Sequence, residues 1–132
     1  MESNFRETKS KFIVDEATYP QDKLTRLMGL MLKFLRVAKD GQVVIIKNVP
    51  SRKILQLILS SRFIANKVEN NIKEELTKEE LLAYSCLKKE VFNTRFSELL
   101  KDGFVDKKDN AVKAKNILLV ERFLEKLGES EK

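Results

Sequence analysis

The side chains of this chain that could do chemistry fall into three groups. Carboxylate pairs stand at Glu74-Glu75 and Glu79-Glu80, one thiol stands alone at Cys86, and cations, amides and hydroxyls gather at Lys88, Lys89, Asn93, Thr94, Arg95 and Ser97, followed by Lys107, Lys108 and Lys113. Catalysis has little to work with. The 132 residues contain no histidine, which removes the commonest general base and the usual zinc ligand sets. A single cysteine can neither close an internal disulfide nor form a paired-thiol motif. No glycine-rich phosphate loop of the Walker or dinucleotide type occurs. The carboxylate pairs read as helix-start charge, which complements the helix dipole, and Cys86 reads as a small, partly buried hydrophobe rather than a redox sensor. The expectation is a protein that is not an enzyme and uses no metal or cofactor. What remains is the cationic and amide set, whose members donate hydrogen bonds and attract anions.

Those residues need a scaffold, and the composition supplies one. With 42% hydrophobic and 35% charged residues, the chain can bury one core and is best treated as a single globular domain. No run approaches the roughly 18 apolar residues of a membrane span. The start, MESNFRETKSK, lacks the apolar centre of a signal peptide. A cytoplasmic protein with no membrane contact is therefore expected. The net charge of +6 is unevenly placed, the excess of lysine and arginine lying in residues 1–72. Such a balance permits contact with nucleic acid or another anionic surface without demanding it.

Along the chain, residues 1–20 read as a polar arm in which KFIV at 11–14 could form a short strand. The remainder, 21–132, reads as the domain. Leu24, Leu27, Met28, Met31, Phe34, Leu35 and Ala38 recur at spacings of three and four, which predicts a helix over 22–38 ended by Asp40-Gly41. VVII at 43–46 suits a short buried strand that could pair with FIV at 12–14. Asn48-Val49-Pro50-Ser51 then supplies a polar cap and a proline for the first turn of a helix over 51–68. Apolar residues cover most of that helix's girth, so it is expected to be central and packed on more than one side.

LTKEELLAYS at 76–85 places Glu80 three residues after Thr77, the pattern of a capping box, and predicts a short helix over 77–84. After a turn near Cys86, a second helix is expected over 88–101, with Phe92, Phe96, Leu99 and Leu100 on one side. Gly103 suits its C-terminal cap. FVDK and AVKA around Lys108-Asp109-Asn110 predict a hairpin over 104–114. Taken together, LTKEELLAYSCLKKEVFNTRFSELLKDGFVDKKDNAVKAK resembles the winged helix-turn-helix family, above all in the spacing Phe92, Phe96, Leu99, Gly103, Phe104, Val105. The sequence departs from the family pattern at Cys86, where glycine is common in the turn, and at Lys88, where a Ser, Thr or Asn cap is common.

The resemblance implies a mainly α fold with a small β-hairpin: a helix-turn-helix over 77–101, a wing over 104–114, an N-terminal helical extension and a C-terminal helix. It implies double-stranded DNA as the partner, with helix 88–101 in the major groove, and the work of a small transcriptional regulator. With the phenylalanines facing the core, Lys88, Lys89, Asn93, Thr94 and Ser97 fall on the exposed side and Arg95 at its margin. Asn and Arg have the geometry to read adenine or guanine, lysines position the backbone, and Lys107, Lys108 and Lys113 would be the wing's phosphate contacts. The competing expectation is a winged helix that meets a protein, as an adaptor in replication, transcription or segregation machinery. The tail NILLVERFLEKL predicts a helix over 116–127 whose Ile117, Val120, Leu124 and Leu127 could close the core or pair with a second copy in a homodimer.

Overall fold

The computed structural model describes residues 2–130. Six α-helices and two small antiparallel sheets alternate along those residues: α1 (Glu2–Phe12), α2 (Gln21–Met31), β1 (Leu35–Val37), β2 (Val43–Ile45), α3 (Ser51–Val68), β3 (Leu76–Thr77), α4 (Lys78–Ser85), α5 (Lys89–Asp102), β4 (Val105–Lys108), β5 (Ala111–Ala114) and α6 (Ile117–Ser130). The fold is mainly helical. Among the described residues no helix is long and apolar enough to cross a membrane.

α3 is the hub. Ile54, Leu55, Leu57, Ile58, Leu59, Phe63 and Ile64 are all buried on it, because α2, α4, α5, α6, β1, β2 and β5 pack around it. A helix apolar over so much of its girth is stable only when several neighbours cover it. Its start differs in detail from the expectation. Pro50 is itself the N-cap and no side chain caps the helix; the Pro50 carbonyl instead accepts from the amides of Lys53 and Ile54 at 2.9 and 3.2 Å.

The helix expected over 22–38 stops at Met31. Leu35–Val37 forms a strand paired with Val43–Ile45, in the register Leu35↔Ile45 and Val37↔Val43. Asp40-Gly41 is the turn of that hairpin, with Gly41 at φ +95°, a conformation glycine adopts without steric cost. Phe34 and Leu35 are buried at 1% and 3% exposure, so the apolar spacing that suggested a longer helix is satisfied by a corner and a strand. Phe12 and Ile13, offered by the sequence as strand partners for β2, are instead exposed at the end of α1.

Every described side chain of α1 is exposed. Contact with the body begins at Val14, which packs partly buried against the core, and continues through the 3-10 turn over Glu16–Thr18. Glu16 accepts the Ile117 amide at 2.8 Å and so satisfies a free donor at the start of α6, and it lies 3.6 Å from the Lys67 ammonium. Buried Tyr19 donates its phenol to the Glu121 carboxylate on α6, while Arg26 on α2 pairs with Glu125 at 2.6 Å. These ties line the α2–α6 seam. Its apolar side consumes Ile117, Val120, Leu124 and Leu127, all at 2% exposure or less. The stripe that could have paired with a second copy is thus spent on the protomer's own core.

Candidate nucleic-acid interface

α4 begins with the reciprocal cap that its sequence pattern predicts: Thr77 Oγ1 accepts the Glu80 amide at 3.0 Å and Glu80 Oε1 accepts the Thr77 amide at 2.9 Å. It ends at Cys86, which adopts the left-handed conformation at φ +58°. This is the turn position where glycine carries no penalty. The thiol is exposed rather than partly buried, and its Sγ lies 3.8 Å from the Ala83 carbonyl one turn back. Ser85 Oγ accepts the Leu87 amide at 3.2 Å, and α5 starts three residues after the turn with Lys88 as an N-cap that makes no side-chain bond.

α5 divides sharply into two faces. Phe92, Phe96 and Leu99 are buried, with the two rings stacked at 5.6 Å between centroids and the Lys78 ammonium 5.2 Å from the Phe96 centroid. Leu100, grouped with them from its spacing, is 42% exposed. Opposite, Lys88, Lys89, Asn93, Thr94 and Ser97 are exposed. Thr94 spends its hydroxyl proton on the Glu90 carbonyl one turn back, at 3.2 Å. Arg95 is drawn inward: its Nε donates to Ser51 Oγ of α3 at 3.1 Å, and its Nη1 to Glu98 at 2.9 Å. That guanidinium fastens α5 to the first residue of α3, and only part of its fork is left for any other acceptor. Gly103, at φ +75°, closes the helix.

The hairpin that follows gains a third strand that the sequence did not announce. β3 pairs with β5, Leu76↔Val112, so the order is β3-β5-β4 with β4 on the edge. Lys107 and Lys108 lie exposed within β4, not in the turn; the turn is Asp109-Asn110, with Asp109 at φ +56°. Its tip is anchored, since Asn110 donates to Glu79 of α4 at 2.9 Å and this bond lowers the Glu79 pKa.

Lys113 departs most from its expected role. It is hydrogen-bonded to Glu74 at 2.9 Å, and that carboxylate raises the lysine's pKa. Glu74 also lies 3.6 Å from Lys67. Lys113 is thus a strut between the segment after α3 and the sheet rather than a free phosphate contact, and Glu74 is not helix-start charge. Nothing in the local sequence linked the two, which lie 39 positions apart. Lys115, exposed just after β5, is a further cation of the hairpin with no side-chain partner among the described residues, and strand alternation sets it on the same side as Lys113.

The exposed set is therefore Lys88, Lys89, Asn93, Thr94 and Ser97 on α5 with Lys107 and Lys108 on β4, diluted by exposed Glu90, Glu98, Asp106 and Asp109. It offers ammonium groups, one primary amide and two hydroxyls, a repertoire for holding anions and for hydrogen bonding to planar polar edges. No family model matches the chain, and neither curated proteins nor solved structures provide a match to it.

Proposed function

We propose that this chain is a winged helix-turn-helix protein that binds double-stranded DNA in a sequence-specific way and serves as a small transcriptional regulator. In this reading α4 and α5 are the helix-turn-helix pair, α5 is the recognition helix and β4–β5 is the wing. The observation that carries it is the two-faced character of α5: Phe92, Phe96 and Leu99 hold one side in the core while Lys88, Lys89, Asn93 and Ser97 stand free on the other. An α-helix fits the major groove, about 12 Å wide. Asn93 could make a paired hydrogen bond to adenine there, Lys88 and Lys89 would contact backbone phosphates, and Lys107 and Lys108 would meet phosphate from the edge strand. Selection from random duplexes at moderate salt tests the reading. A recovered motif, with affinity falling steeply as salt rises, is the expected result.

A second reading is favoured by one specific feature. Val91 and Leu100 are 36% and 42% exposed on α5, beside exposed Glu90 and Glu98. An exposed helix of mixed charge with apolar points suits a protein partner, in an adaptor of replication, transcription or segregation machinery. Absence of duplex binding at low salt would transfer the proposal to that role.

A further inference from the structure

Away from α5 and the hairpin, an open apolar groove of about 370 Å³ runs between α2, β1 and the C-terminal half of α3. Met28 and Met31 of α2, Leu35 of β1, Ile64 and Val68 of α3 and Ile72 beyond it supply its apolar surface. No aromatic ring lines it, and two cations, Arg36 and Lys39, stand against a single carboxylate, Glu69. Arg36 is held in place, its Nη1 donating to the carbonyls of Leu32 at 2.5 Å and Leu35 at 2.8 Å. Those carbonyls belong to the corner where α2 gives way to β1. The remaining guanidinium donors of Arg36 have no partner among the described residues, and neither does the Lys39 ammonium. A guanidinium already pinned on one side loses little further freedom when it binds an anion on the other.

We infer that this groove binds a medium-chain alkyl carboxylate, with the chain on the methionine and aliphatic surface and the carboxylate on Arg36, assisted by Lys39. Three features select that chemistry. Thioether and branched aliphatic walls adapt to a flexible chain. The volume lies at the lower end of small-molecule cavities, roughly 300 to 1,000 Å³, which suits a chain of medium length. The guanidinium fork matches a carboxylate in geometry and sign. A neutral alcohol would accept only a single bond from the free side of Arg36 and leave its charge uncompensated, and a short acid would leave the apolar surface wet. The inference does not rest on the nucleic-acid reading, because no groove residue lies on α5 or on the β4–β5 hairpin.

Titration of the full chain with decanoate, decanol and acetate, followed through amide chemical shifts, tests it. Decanoate should saturate with shifts confined to residues 28–39 and 61–72, decanol should bind about tenfold more weakly or worse, since a hydrogen bond to a charged group is lost, and acetate should shift nothing there. Arg36→Gln should weaken decanoate about tenfold and close the gap to decanol. Because Arg36→Gln could loosen the α2–β1 corner, Val68→Glu is the second variant. Val68 is 45% exposed, so the new carboxylate leaves the fold intact while setting a charge on the surface that holds the alkyl chain, which should weaken decanoate and decanol alike. Equal binding of decanol and decanoate, shifts scattered over the surface, or unchanged affinity in both variants would overturn the assignment. Groove shifts that depend on protein concentration without ligand would overturn it too, by showing a second copy in the groove.

Discussion

Arg62 on the central helix donates from Nη1 to the carbonyl of Gly41, 3.0 Å away in the turn between β1 and β2. The same guanidinium donates to the carbonyls of Lys73 at 2.7 Å and Glu75 at 3.1 Å. One nearly buried cation, 6% exposed, thus collects three backbone acceptors from two segments that have no regular structure to satisfy them, which is how a buried charge becomes tolerable. It holds the N-terminal hairpin and the connector after α3 on the same helix, and the connector carries Glu74 to Lys113.

Arg62→Leu should therefore cost about 3 kcal/mol or more, since it strands the buried carbonyl of Gly41 and the part-buried carbonyls of Lys73 and Glu75, each of which loses a charge-assisted bond. Arg62→Lys should recover part of that loss, one ammonium being unable to span all three acceptors. Gly41→Ala should cost about 1 to 2 kcal/mol through its left-handed backbone, with its new Cβ 3.4 Å from Arg62 Cζ. Urea unfolding of the three variants measures the order.

Leu124→Glu should abolish cooperative folding. Leu124 is fully buried within its own chain, and an unpaired carboxylate there costs several kcal/mol. Leu118→Glu, at a position 52% exposed on the same helix, should leave the melting curve nearly unchanged. Circular dichroism melts decide. A folded, lower-mass Leu124→Glu protein would mean the stripe joins two subunits after all.

Tyr19 supplies a pH dependence. Burial first, and then its hydrogen bond to the Glu121 carboxylate, raise the phenol's pKa far above the ordinary value of 10.0. The folded-state pKa exceeds the unfolded one, so the contribution is complete below about pH 10 and is lost as pH rises beyond it. Tyr19→Phe should cost about 1 to 2 kcal/mol at pH 7, and its deficit relative to wild type should shrink above pH 10. A deficit constant to pH 11 would rule out the linkage.

Gly29 sits exposed inside α2 with nothing within 4 Å of a Cβ built there. Gly29→Ala should raise stability by about 0.5 to 1 kcal/mol, by reducing the freedom of the unfolded chain. Gly103→Ala meets open space as well, but its φ of +75° makes the same substitution unfavourable there. Opposite shifts in melting temperature are the expected result.

On DNA, Asn93 and Lys108 should behave differently. Asn93→Ala should relax preference at one base position by about 1 to 3 kcal/mol and leave non-specific affinity almost intact. Lys108→Ala should weaken all duplexes alike and lower the salt slope by about 1. Lys113→Ala should instead act on stability, because its partner is Glu74. Fluorescence anisotropy on a selected and a scrambled duplex across a salt series separates the three.

Features that local chemistry encodes are legible in the residues alone. The Thr77–Glu80 cap, the stop at Gly103, the Phe92–Phe96–Leu99 face and the breadth of α3's apolar surface each follow from residue type and spacing within a turn or two. Where one pattern satisfied two structures, tertiary packing chose. Phe34 and Leu35 fit a helical period, yet pairing with Val43–Ile45 and the Arg62–Gly41 bond stabilise a strand and a hairpin turn there. The tail's stripe fitted both a core helix and a dimer seam, and the neighbouring α2 and α3 claimed it. The candidate face was likewise legible where it depends on helical spacing. It was not legible at Arg95 and Lys113, because whether a cation is free depends on a partner brought near by the fold: Ser51 lies 44 positions from Arg95, and Glu74 lies 39 from Lys113. Periodicity is a property of a segment, whereas charge pairing over such separations is a property of the folded chain.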